Sequence, residues 1–116
     1  MAKKLKDWII EGIEEKKGSD IVTIDLRKIE NSFCDYFIIC QGNSNTQIQA
    51  IASFVEKVVK EKTGEKILHK EGLENAQWII LDYGNILVHV FDKDTRMYYN
   101  LEELWADGVI TKLKNN

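Results

Sequence analysis

Among its 116 residues the chain has no proline, only two cysteines, two histidines and seven glycines. It carries no excess of positive charge: 16 lysines and arginines face 19 aspartates and glutamates, for a net charge of −3 and a pI near 5.4. Domains that gain affinity by neutralising phosphates are usually clearly basic, so this balance argues against such a role and suits a basic protein partner. No apolar run approaches the roughly 20 residues that cross a bilayer. The start, Met1-Ala-Lys-Lys-Leu-Lys-Asp7, lacks the apolar core of a secretory signal and the Arg- and Ser-rich character of a transit peptide, so a cytoplasmic protein is expected. With so few soft ligands, and no CxxC or HxxxH spacing among Cys34, Cys40, His69 and His89, a zinc site is not expected. No repeat, low-complexity segment or linker is present. Hydrophobic residues at 44% and charged residues at 30% indicate one ordinary globular domain.

Leu5, Trp8, Ile9 and Ile13 recur at helical spacing, and Lys16-Lys17-Gly18 reads as a cationic last turn with a C-cap glycine. Ile21 to Leu26 alternates, with Val22, Ile24 and Leu26 on one face, as in a half-buried strand. Asp35 to Gln41 is almost continuously apolar, which predicts a central strand covered on both sides. Cys34 and Cys40, placed in that strand, would share one face about 20 Å apart, as core thiols rather than a disulfide. Ser44 and Gln47 form a capping box opening a long helix with a stripe of Ile48, Ile51, Ala52, Val55, Val58 and Val59, closed by Gly64. A short strand is expected around Ile67 to Lys70, and a short helix, Leu101 to Ala106, capped by Asn100. The predicted fold is α+β: a mixed sheet with helices mainly on one face, in the order α-β-β-α-β-β-β-α. Residues 1–108 form the single domain, and 109–116 a loosely held tail.

Trp78 to Tyr83 and Ile86 to Phe91 flank Gly84-Asn85, which suits a two-residue hairpin turn. That register sets Tyr83, Leu81 and Ile79 opposite Ile86, Val88 and Val90 on one wholly apolar face, suited to packing under the helices. The other face carries Trp78, Ile80, Asp82, Leu87, His89 and Phe91, large anchors mixed with a carboxylate and an imidazole. It is either a solvent face or second layer covered by the C-terminal segment, or a partner surface, where aromatic residues often dominate the binding energy. A slip of one residue would exchange the two faces.

Catalytic patterns are weak. Gly42-Asn43-Ser44 lies between a strand and a helix, where phosphate often sits, but the dinucleotide and Walker patterns are absent and an ordinary cap is the better reading. Asp92-Lys93-Asp94 lacks converging acids for a two-metal site and suits a turn before a helix. Asp82 and His89 lie two positions apart along the hairpin, with no nucleophile indicated beside them. Lys57, Lys60, Lys62 and Lys66 form a modest basic patch, a solvated helix end by default.

Several segments together, Ser32-Phe-Cys-Asp-Tyr-Phe-Ile-Ile39, Gly42-Asn-Ser-Asn45, Glu71-Gly72, Trp78 to Phe91 and Arg96-Met-Tyr-Tyr-Asn-Leu-Glu-Glu-Leu-Trp105, resemble the ribosomal silencing factor, or Iojap-like, family over nearly the whole chain. Cys34 stands where many members have Thr, and Asn85 where Asp is common. The resemblance implies a nucleotidyltransferase-like fold without catalytic carboxylates and no cofactor. It also implies a translational repressor that binds the fourteenth protein of the large ribosomal subunit and blocks joining of the small subunit when nutrients are short. Free members are often homodimers, and little direct RNA binding is expected. On this basis the partner contact is placed on Trp78, Asp82, His89, Leu101, Glu102, Leu104 and Trp105, with the tryptophans as buried anchors and Asp82 and Glu102 meeting basic side chains. Leu101, Leu104 and Trp105 equally fit a helix docked on its own core. The alternatives are an enzyme using Ser44, Asp92 and Asp94, and an RNA-binding module using the lysines.

Overall fold

The computed structural model describes residues 3–113. Its elements are α1 (Leu5–Glu15), β1 (Ser19–Asp25), β2 (Tyr36–Gln41), α2 (Asn45–Thr63), β3 (His69–Glu71), β4 (Trp78–Asp82), β5 (Ile86–Phe91), α3 (Lys93–Tyr99), α4 (Leu101–Leu104) and β6 (Val109–Lys112). The strands form one mixed sheet in the order β3-β4-β5-β2-β1-β6. β2 and β5 run parallel, and the other neighbours antiparallel. A parallel pair needs a long crossover, which α2 begins and the β3–β4 hairpin completes before β5 returns beside β2.

α1 and α2 cover one face, as the α+β reading expected. Ile9 and Ile13 of α1, and Ile48, Ile51, Ala52, Val55 and Val59 of α2, bury against Ile38, Cys40, Ile79, Leu81, Val88 and Val90 of the sheet. The Ser44 hydroxyl accepts the Gln47 N–H at 3.1 Å, while the Gln47 side chain returns to the Asn43 N–H at 2.6 Å, one residue earlier than in a standard capping box. Gly64, at φ +78°, closes α2. At the end of α1 the expected glycine cap is displaced: Lys17 takes the left-handed conformation, φ +64°, and the Gly18 N–H bonds the Ile13 carbonyl.

The hairpin register is the one deduced from the alternation. Ile79 pairs with Val90 and Leu81 with Val88, and the Tyr83 N–H meets the Ile86 carbonyl at 2.9 Å. Gly84 takes φ +88° while Asn85 does not go positive, the pattern of a II′ turn. All six residues of the predicted apolar face are buried on the helix side.

Other expectations are corrected. β1 is covered on both faces rather than half-buried, since Ile21 and Thr23 are buried as well as Val22 and Ile24. The two cysteines do not share a face: Cys34 precedes β2 and lies in the second cluster, while Cys40 lies under the helices; both are free and buried. Burial raises their thiols to about 11 and about 12, leaving them unreactive. β3 starts two residues later than expected and is only three residues long. The expected order lacked α3, which Asp92 caps by accepting the Thr95 N–H at 2.7 Å. α4 is a single turn. Asn100 precedes it at φ +47° without a side-chain cap, its amide instead bonding Glu103. The segment expected as a loose tail contributes β6, paired with β1 at the sheet edge; residues 114–116 lie outside the described residues.

Candidate partner-binding face

The sheet face away from α1 and α2 carries a second cluster built on Val22, Ile24, Leu26, Phe37, Ile39 and Phe91. Its cover is thin: the loop carrying Phe33, then α3, α4 and Trp105. Alternation along β4 and β5 sets Trp78 directly opposite Phe91, and their rings stack at 4.8 Å. Tyr99 from α3 closes on Trp78 at 4.7 Å. The indole N–H of Trp78 donates to Nδ1 of His89 at 3.1 Å. His89 in turn meets the edge of Phe37 at 4.7 Å, and Trp105 lies 5.6 Å from Phe37 and 5.8 Å from Phe33. The rings thus form a continuous row from Phe33 and Trp105 to Tyr99 and Tyr98, each contact contributing about 0.5–1.5 kcal/mol beyond area burial.

His89 is 4% exposed, and burial lowers its pKa to about 3, so it is neutral. Because Nδ1 accepts from Trp78, the ring proton sits on Nε2, which is buried without a polar partner. This locked imidazole orients Trp78 and has no exposed nitrogen to offer as a catalytic base. Asp82 is half-buried at the hairpin tip, where its carboxylate accepts the Gly84 N–H at 2.7 Å. Leu101 is buried in the cluster, Trp105 half-buried and Leu104 70% exposed. The Glu102 carboxylate pairs with Arg96 at 3.0 Å.

Of the seven residues placed at a contact, Trp78, His89, Leu101 and Trp105 therefore come together beside one cluster, and Leu104, in the same helical turn as Leu101, is exposed. His89 is covered by rings, and Leu101 is buried in the cluster. Glu102, expected to meet basic side chains, is paired within the fold with Arg96.

Arg96 is the residue that sequence reasoning missed. It is buried, and its guanidinium donates to the Asp20 carbonyl at 2.8 Å, the Gln41 side chain at 3.2 Å and Glu102. It fastens α3 to β1, β2 and α4, so a lone partner loss would leave a buried charge uncompensated. No local spacing signals this, because Asp20 is 76 positions away.

Exposed apolar residues mark the two faces differently. Phe33, Met97, Tyr98, Tyr99 and Leu104, five of the nine large exposed ones among the described residues, lie in the segments covering the second face, and none lies in α1 or α2. The groups of the catalytic alternative are engaged as caps: Ser44 on α2 and Asp92 on α3. Among the described residues no group of three or more His, Cys, Asp or Glu is placed to hold a metal ion, and no helix is long and apolar enough to cross a membrane.

A family model described as ribosomal silencing factor during starvation matches residues 1–116. A ribosomal silencing factor from Halalkalibacterium halodurans is 40% identical over 96% of this chain and 93% of its own length. Another from Bacillus subtilis is 42% identical over 86% of this chain and 83% of its own. A crystal structure of a Chromobacterium violaceum protein superposes with a TM-score of 0.83 at 36% identity, covering 88% of this chain and 83% of that one.

Proposed function

Because the chain belongs to the ribosomal silencing factor family, a regulatory and non-enzymatic one, we propose that it represses translation by docking on the large ribosomal subunit. The match along the whole chain carries this reading. The fourteenth protein of that subunit is its partner, and nutrient limitation is the condition in which it acts, in the cytoplasm. The aromatic face makes the contact, with Trp78 and Trp105 as anchors, Leu104 at the exposed edge and Asp82 with the outer side of Glu102 facing basic side chains. The net charge of −3 favours a basic protein surface over naked RNA.

Repression needs no chemistry. The described body measures 36 × 35 × 29 Å, and on the joining face it would fill volume that the small subunit must enter. Binding tighter than the competitor at the working concentration is sufficient. Free copies form homodimers.

Sucrose-gradient sedimentation of extract containing tagged protein tests the reading. The protein is expected with free large subunits and depleted from joined ribosomes and polysomes. Equal occupancy of joined ribosomes would overturn the blocking mechanism even with binding confirmed.

A further inference from the structure

Beside Trp78 the thin cover of the second face opens into a cleft of about 530 Å³, between α3 and the loop joining β3 to β4. Asp94, Thr95, Tyr98 and Tyr99 line one wall, at the i, i+1, i+4, i+5 spacing that puts them on one side of the helix. Tyr98 is 82% exposed and Tyr99 50%. The Asp94 carboxylate makes no ion pair or hydrogen bond among the described residues, in contrast to that of Asp92, which caps the helix. The other wall is the turn from Gly72 to Gln77, which offers the side-chain amides of Asn75 and Gln77. This wall is stiff. Gly72 sits at φ +82° where a Cβ would fall 1.9 Å from the Trp78 carbonyl oxygen, and the buried Ala76, at φ +52°, bonds back to the Gly72 carbonyl at 3.0 Å. Among the described residues no lysine or arginine lines the cleft.

An aromatic wall, one unpaired carboxylate, amide oxygens and, among the described residues, no resident cation together describe a receptor for a planar cation. A guanidinium that pairs with Asp94 lies one helical turn from Tyr98, within reach of its ring face. We propose that this cleft binds an arginine side chain projecting from the basic protein partner. The inference rests on the docking reading above and deepens it by assigning the partner's anchor and its place.

The cleft is tested without a ribosome. The full chain is titrated with N-acetyl-arginine methylamide and with its neutral isostere, the citrulline derivative, following the Trp78 indole and the Tyr98 and Tyr99 resonances. Saturable shifts are expected with the arginine compound, about fivefold weaker affinity for it in Asp94→Asn, and no saturable shift with citrulline. Equal responses to the two compounds, or none to arginine, would overturn the assignment. In parallel, Asp94→Asn and Tyr98→Leu, both at exposed positions, should each weaken binding to purified large subunits about tenfold, measured well below the melting transition of each variant. Binding as tight as wild type in both variants would overturn the partner's use of the cleft. Failure of the wild type to bind large subunits at all, with the arginine titration positive, would instead locate the error in the docking reading.

Discussion

The two faces of the sheet are built from alternate residues of the same strands, yet they are finished differently. On the helix side, Ile79, Leu81, Val88 and Val90 bury completely under α1 and α2, which present an aliphatic stripe inward and charge outward. On the other side, Trp78, Phe91, Phe37 and His89 meet short segments that leave Tyr98, Leu104 and Phe33 in solvent. The first face is closed and serves stability. The second is a packed row of rings held by one hydrogen bond and one buried arginine, with an apolar rim that the fold itself does not need covered. Docking is assigned to the second face because large apolar residues exposed together mark interaction surfaces, whereas scattered ones do not.

Leu81→Ala should show the largest loss of stability, about 2–5 kcal/mol, because it opens a cavity under two helices. Its affinity for large subunits, measured on the folded fraction, should remain that of the wild type. Trp78→Ala should weaken binding by at least ~2 kcal/mol, roughly thirtyfold. It also strips the stack from Phe91 and Tyr99, so melting should fall too, and binding has to be measured well below the transition. A Trp78→Ala variant that binds normally while folded would dissolve the distinction between the faces.

Acidity should act on the second face through His89. Its folded pKa, about 3, lies below the ordinary value of 6.5, so the unfolded chain takes up the proton first. The contribution of neutral His89 to stability is complete above about pH 6.5 and is lost progressively as pH falls toward 3. Between pH 7 and pH 5 this amounts to about 2 kcal/mol. Denaturant melts at the two pH values should show the loss in the wild type and little of it in His89→Leu. A smaller effect belongs to the caps: Ser44→Ala should cost about 1 kcal/mol of stability and leave large-subunit binding unchanged.

Much of this contrast was legible in the chain itself. The period-two alternation around Gly84-Asn85 places every side chain of β4 and β5 on its observed face, because a two-residue turn there leaves only one face wholly apolar. The eighth and tenth elements, α3 and β6, were harder to read. α3 offers no apolar stripe: Met97, Tyr98 and Tyr99 are exposed, and its inward residue is Arg96. Helix periodicity therefore had nothing to detect, although Asp92-Lys93-Asp94 did mark the turn before it. β6 carries four exposed side chains and is held by backbone pairing with β1, which leaves no hydrophobic signature. At the candidate site, Trp78, Trp105 and Leu104 were readable as a mixed or helical face. The burial of His89 and the capture of Glu102 by Arg96 depend on contacts between distant parts of the chain, which spacing does not encode.

The central claim is that the aromatic face, and not the helical one, stops the subunits from joining. Light scattering of purified small and large subunits mixed with the protein tests it directly, comparing Leu104→Asp on the aromatic side with Lys57→Glu on the exposed side of α2. Both substitutions fall on exposed positions and should leave melting within about 0.5 kcal/mol of the wild type. The account predicts that the wild type and Lys57→Glu suppress joining and that Leu104→Asp does not. Suppression retained by Leu104→Asp, or lost in Lys57→Glu, would contradict it.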